Sequence, residues 1–175
     1  MNGQHHLPTQ RRDMGAQVSR GRAPMPLVQG RAVGGTSVIN GAICWRLPRD
    51  VWDEWIAADP ALADALPWAA LEALSGEIEV DLAIAPTDPA VAGPNNLLLA
   101  RGAEALGLEH RPIRRNVRGC RGLGRCLQGC PEGRKLAMDR SYLPDAAAAG
   151  ARIVSDARVT RVAVDGARAS GVEGV

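Results

Sequence analysis

The chain has 175 residues, 46% of them apolar, and carries 21 Lys and Arg against 19 Asp and Glu, which is the size of one ordinary domain with material for a core. A net charge of +2 with the two signs interspersed argues against a nucleic-acid binder, and no stretch approaches the roughly 18 apolar residues of a membrane helix. The start, MNGQHHLPTQRRD, lacks the apolar middle of a secretory signal, and four cysteines are sparse for a secreted disulfide scaffold. A cytoplasmic protein whose thiols are free or bind metal is therefore expected.

Residues 1–12 are polar and aperiodic and read as a disordered tail. After Pro24 and Pro26 a short apolar step, PLVQ, leads into GRAVGGTSVINGAICWRLP. There Gly34 and Gly35 open an apolar run carrying Thr36, Ser37 and Asn40, the pattern of a loop feeding a helix N-terminus. In RDVWDEWIAAD, Val51, Trp52, Trp55 and Ile56 share one helical face behind Asp50 as a candidate N-cap, so two tryptophans should pack inward. Trp45 and Trp68 read as core anchors too. A second helix begins at Trp68 and passes through Leu71 and Leu74. Its end stays open, because Ile78, Val80, Leu82 and Ile84 also alternate with period two.

Pro86, Pro89, Gly93 and Pro94 predict a loop, and NNLLLARGAEALGL predicts a helix from an Asn cap to Gly107. Farther on, SYLPDAAAAGARIV predicts an Ala-rich helix stopped by Gly150. The last stretch, ARVTRVAVDGARASGVEGV, predicts two strands around an Asp165-Gly166 turn. Asp139, Ser141 and Tyr142 form a polar trio best read as a helix cap with Tyr packing.

Between these elements lies GCRGLGRCLQGCPEGRK, with Cys120, Cys126 and Cys130 spaced C-x5-C-x3-C and Pro131 after the last. Close cysteines ending in Cys-Pro suit iron–sulfur ligation, and Arg121, Arg125, Arg134 and Lys135 would offset a cluster's negative charge. A structural loop of small apolar cysteines is the competing reading. Zinc fits less well, since neither Cys44 nor His110 is an obvious fourth ligand. Cys44 itself reads as core.

In GRAVGGTSVING the paired glycines let backbone approach a ligand without an intervening Cβ. If Thr36 and Ser37 begin a helix, its free amides and dipole favour a phosphate, with the hydroxyls and Asn40 as further partners. PLVQGRAVGGTSVINGAICWRLPRDVWDEW resembles the glucose–methanol–choline (GMC) flavoprotein oxidoreductases, whose signature runs Gly-Arg, two residues, Gly-Gly, Ser or Thr, Ser, two residues, Asn-Gly. GCPEGRKLAMDRSYLPDAAAAGARIVSDARVTRV is similar to a later segment of the same family, close to its cholesterol oxidase-like bacterial branch.

The resemblance implies FAD as cofactor, with contacts from Gly34, Gly35, Thr36, Asn40, Gly41 and Ile43 along the pyrophosphate and flavin and from Val159 near the adenine. It implies an α/β fold of mixed α+β character: a partial FAD/NAD(P)-binding, Rossmann-like domain lacking its first βαβ unit. Residues 13–47 would be the flavin segment, 48–115 a helical insertion, 116–135 the cysteine loop and 136–175 a helix and β-hairpin. It further implies a middle piece of a longer enzyme that oxidises a small-molecule alcohol by hydride transfer to flavin and passes electrons to oxygen, a quinone or a protein acceptor. His5, His6 and His110 match no family position for the catalytic base, so this stretch alone is expected to be inactive. The cysteine spacing is also similar to that of flavin sugar dehydrogenases bearing a three-iron cluster. Two rival readings stand beside this one: a small iron–sulfur or metal-binding electron-transfer protein, and an inactive remnant or interaction module whose core a separately encoded partner completes.

Overall fold

A computed structural model describes residues 11–175. The first ten residues of the expected tail lie outside the described residues, whereas Arg11 and Arg12, assigned to the same tail, are paired. Arg11 bridges Gly30, and the Arg12 N–H donates to the Gln29 carbonyl at 2.9 Å. Leu27 N–H to Gln17 O at 2.8 Å and Ser19 N–H to Met25 O at 2.9 Å extend this irregular antiparallel ladder. Sequence alternation did not announce it, because its apolar members Val18, Met25, Leu27 and Val28 all stay exposed.

Helix α1 (Arg49–Ala58) starts directly after Pro48, whose extended backbone leads into it; Asp50 lies in the first turn and no side chain caps the helix. A short turn, α2 (Leu62–Ala65), precedes α3 (Trp68–Asp81). Trp52 on α1 donates its indole N–H to the Leu66 carbonyl at 2.9 Å and meets Trp68 edge-on at 5.8 Å. The Arg49 guanidinium lies 4.6 Å from the Trp52 ring and 5.1 Å from the Trp68 ring, within cation–π range. Helical periodicity wins over the alternating pattern through Val80, and the strand β1 begins only at Ile84 (Ile84–Pro86).

Gly93, not an asparagine, stands at the N-cap of α4 (Pro94–Ala105), with Pro94 in the first turn. Proline fits there because its missing N–H would have no helical partner anyway. Strand β2 (Arg114–Asn116), helix α5 (Tyr142–Ala148) and strands β3 (Val159–Asp165) and β4 (Arg168–Gly174) complete the order.

β1 and β2 pair antiparallel, Ile84 opposite Asn116 and Pro86 opposite Arg114. Ile43 forms a single antiparallel bridge to Arg115, and Val117 bridges Lys135, so three distant segments meet along β2. β3 and β4 form the expected hairpin, also antiparallel. The chain is thus a mixture of helix and strand. No parallel pair exists among the described residues. Parallel strands need a long crossover and covered faces, and neither short sheet has these.

The buried apolar residues are Ile39, Ala42, Leu82 and Ala137, joined by the polar Asn116 and Lys135. This core is far smaller than the composition allows. Two tryptophans expected inside are not there: Trp45 is 67% exposed and Trp55 is exposed as well. An apolar helix face is buried only against a second layer, and α4 and the β3–β4 hairpin likewise make no extended contact with another helix or strand. No helix among the described residues is long and apolar enough to cross a membrane.

Candidate functional site

Three glycines shape the segment that leads into residues 34–43, each for a different reason. At Gly30 an added Cβ would overlap the Gly35 carbonyl oxygen and lie 2.9 Å from the Thr36 nitrogen, so only a bare backbone can pass. Gly34 has φ +95°, and its Cβ would sit 2.9 Å from Val38 Cγ2 and 3.0 Å from the Asp139 nitrogen. Gly35 has φ +58° but nothing within 4 Å of the same position. Gly30 and Gly34 are therefore demanded by packing, while the bare side of Gly35 faces open space.

The helix expected after these glycines is one 3-10 turn, Gly35–Val38. So short an element sums few peptide dipoles, which removes the macrodipole from the argument. What remains is individual donors. The Gly35 amide is spent on Ala32 O at 2.9 Å, whereas the amides of Gly34 and Thr36 reach no acceptor among the described residues. Two amides without an acceptor and open space at the Cβ position of Gly35 are the features of this stretch that suit an anionic group such as the pyrophosphate of FAD.

The hydroxyls divide. Thr36 Oγ1 accepts from the Gly30 amide at 3.1 Å on an exposed side chain and keeps its own proton to donate. Ser37, expected to face a ligand, turns inward: its Oγ donates to Gly34 O at 2.6 Å and accepts from the Met138 amide at 3.0 Å. Asn40 is exposed, and its Oδ1 accepts from the Ala42 amide at 3.0 Å. Ala42 is buried at φ +59°, a conformation that strains a residue with a Cβ. A Cβ added at Gly41 would lie 3.6 Å from Ile43 Cδ1, and Ile43 is half exposed.

Gly34, Gly35, Thr36, Asn40, Gly41 and Ile43 thus form one continuous stretch. Val159 is not brought to them. It sits at the open end of the hairpin opposite Gly174, and no hydrogen bond among the described residues ties the hairpin to that stretch.

The residue that organises this stretch from behind is Lys135, only 2% exposed. Its ammonium donates to Val38 O at 2.7 Å, Asn40 O at 3.0 Å and Cys126 O at 3.0 Å, with Asn40 Oδ1 at 3.4 Å. Burial pushes its pKa down, opposed by the neighbouring Cys126 and Cys130. Beside it, Asn116 donates from Nδ2 to Leu136 O at 2.9 Å, and its main chain joins Ala42 to Leu136. Sequence reasoning saw Lys135 only as one cation near the cysteines. The available signal was its singularity: it is the one lysine among 21 Lys and Arg residues.

The cysteine loop closes on itself. Cys126 Sγ accepts from the Arg115 guanidinium at 2.6 Å, Cys130 Sγ from the Arg134 amide at 3.2 Å, and Cys120 Sγ from the Gly122 amide at 3.4 Å. All four cysteines are free. Among the described residues no three His, Cys, Asp or Glu side chains gather as a metal-holding group. Each sulfur instead answers a local N–H. Cys44 is half-buried, and burial pushes its thiol pKa up.

Around this centre, Glu79 on α3 accepts from Arg46 at 2.9 and 2.8 Å and pairs with Arg114 at 2.9 Å. The Arg46 hydrogen bond holds the Glu79 carboxyl below its usual range. Of the polar trio, Ser141 donates to Ala137 O at 3.0 Å and does not cap α5, Tyr142 donates to Asp81 at 3.0 Å, and Asp139 Oδ1 is buried without a partner. Tyr142, Ser141, Asp81, Arg118 and Arg140 line an open depression of about 340 Å³.

Gly34, Gly35 and Thr36 thus form a short glycine-built strip with two unspent amides. Residues 12–175 match the family described as GMC oxidoreductase, and the chain belongs to that family. It is 41% identical over 161 residues to an uncharacterised GMC-type oxidoreductase of Mycobacterium tuberculosis, covering 92% of this chain and 25% of that protein. Similarity extends to a long-chain-alcohol oxidase of Arabidopsis thaliana (32% identity; 82% of this chain, 19% of the relative) and a cholesterol oxidase of Acinetobacter baumannii (27% identity; 85% and 30%). The chain spans about a quarter to a third of the length of these GMC-type relatives. No solved structure matches it.

Proposed function

We propose that this chain supplies the pyrophosphate- and flavin-facing segment of an FAD-dependent oxidoreductase acting on CH–OH donors. The observation that carries the reading is the open side of Gly35 between the unspent amides of Gly34 and Thr36. Bound FAD would supply the hydride acceptor. The part played by these residues is to bind and orient: the two amides and the Thr36 hydroxyl meet phosphate oxygens, and bare Gly35 lets them approach. The Asn40 amide presents a donor toward the ring system, and Ile43 covers it from water.

Val159 is assigned to the adenine end on family similarity. Small-molecule alcohols are the substrate class, since relatives are named for long-chain alcohols and cholesterol. The proton-accepting base and the electron acceptor lie with other parts of the enzyme or with a separate partner, because His110 is engaged near Glu104 at 3.6 Å, remote in sequence from the strip.

Titrating FAD with the purified chain tests this. Quenching of flavin fluorescence is expected, weakened at least about tenfold in Gly35→Val, whose branched side chain fills the open face. Fluorescence unchanged by the wild-type chain would overturn the reading.

A further inference from the structure

We propose that Lys135 is the positioning residue of the dinucleotide segment: one ammonium, caged by the carbonyls of Val38, Asn40 and Cys126, sets the curve in which Gly34 and Thr36 present their amides. Its ligand rests on the FAD reading above; its geometry does not.

The cage spans the chain. Val38 lies 97 residues and Asn40 95 residues from Lys135, and Cys126 only nine, so one side chain pins the flavin segment to the cysteine loop. An ammonium has three donors, and three main-chain carbonyls take them. No carboxylate forms an ion pair with Lys135 among the described residues. Carbonyl dipoles therefore hold the charge, and losing it takes this donor from the part-buried Val38 and Asn40 carbonyls, while Cys126 O keeps the Gly129 amide at 3.3 Å.

The same arrangement explains why this position is lysine. The chain uses arginine at every other of its 21 cationic Lys and Arg positions, many of them around this loop. A planar guanidinium spreads five donors over a fork, whereas this cage converges on one point. Arg115, which donates to Cys126 Sγ while its backbone bridges Ile43, ties the same two segments from the other side. The cysteine loop thus acts as a clamp on the cofactor strip.

Two measurements decide the matter. In the wild-type chain Lys135 is the sole side-chain amine, so acylation by an N-hydroxysuccinimide ester reports on it alone by peptide mass analysis. Labelling at least ~100-fold slower than Nα-acetyl-lysine in the same tube is expected for a closed cage; a rate within about threefold of that standard would overturn the proposal even if no variant folds. Hydrogen exchange then compares Lys135→Met and Lys135→Arg with wild type. Both should speed exchange of the Ile39 amide, which donates to Thr36 O, by at least about tenfold while α1 amides hold.

A Lys135→Met chain that exchanges and binds FAD like wild type would refute positioning, and full rescue by arginine would refute the point-charge cage. If wild type binds FAD, Lys135→Met should weaken it about tenfold or more. Wild type that fails to bind FAD counts against the ligand, and labelling and exchange still judge the cage.

Discussion

Gly34 and Gly35 are neighbours with opposite expected sensitivities, and their alanine variants separate packing from ligand binding. Both have positive φ, +95° and +58°, and placing a Cβ there costs roughly 1–2 kcal/mol per residue. For Gly35→Ala little more is expected, because nothing lies within 4 Å of the new methyl. For Gly34→Ala the methyl meets Val38 Cγ2 at 2.9 Å and the Asp139 nitrogen at 3.0 Å, an overpacking worth about 1–3 kcal/mol more. The total for Gly34→Ala is thus about 2–5 kcal/mol, and the two variants differ by about 1–3 kcal/mol. Hydrogen exchange at the Ile39 and Leu136 amides, which close this region through Thr36 and Asn116 carbonyls, reads that difference as roughly 5- to 150-fold faster opening in Gly34→Ala. FAD affinity should rank the other way once opening is accounted for, with Gly35→Ala weaker because its methyl enters the open face. Equal exchange in the two variants would refute the assignment of Gly34 to packing and Gly35 to the ligand.

Glu79→Gln keeps the shape of the Arg46–Glu79–Arg114 junction and removes its charge. The carboxyl is depressed when folded, so its contribution is present above the ordinary glutamate range and disappears as pH falls through the folded value. A wild-type minus variant difference of about 1 kcal/mol at pH 7 that closes toward pH 3 is expected in urea titrations; a difference that grows on acidification would contradict the sign. Burial raises the Cys44 thiol, so at pH 8 iodoacetamide should modify it more slowly than free cysteine, because less of it is thiolate. Leu98 and Leu99 on α4 are exposed, the latter at 73%, and such apolar surface should enhance 1-anilinonaphthalene-8-sulfonate fluorescence under native conditions. Leu98→Glu with Leu99→Glu should reduce that signal and leave far-UV dichroism within about 10% of wild type; unchanged dye binding would show that α4 is covered in solution.

Much of the local architecture was legible because short-range rules govern it. The α1 pattern, the α3 start at Trp68, the Gly150 stop and the Asp165-Gly166 hairpin each depend on residues within a few positions of one another. The α4 cap lies two residues before Asn95, since Gly93-Pro94 and Asn95-Asn96 are both start signals and the earlier one won. The cysteine spacing pointed to ligands, yet spacing alone does not say whether a sulfur faces a metal or a neighbouring N–H. In this structure the three sulfurs face N–H groups of Arg115, Gly122 and Arg134. The bare backbone at Gly34 and Gly35 was legible, because glycine is written in the sequence. The role of Gly30 was not, for it depends on the chain turning back to bring Gly35 against it.

The amino-acid order alone determined the family, the helix and hairpin positions and the glycine-rich strip, all set by neighbours along the chain or by the identity of single residues. Tertiary structure alone decided that Ser37 turns inward, that Trp45 faces water and that the sole lysine is buried in a cage of carbonyls. The physical reason is that main-chain carbonyls are the same at every position. Which of them converge on an ammonium 97 residues away is settled only when the segments pack.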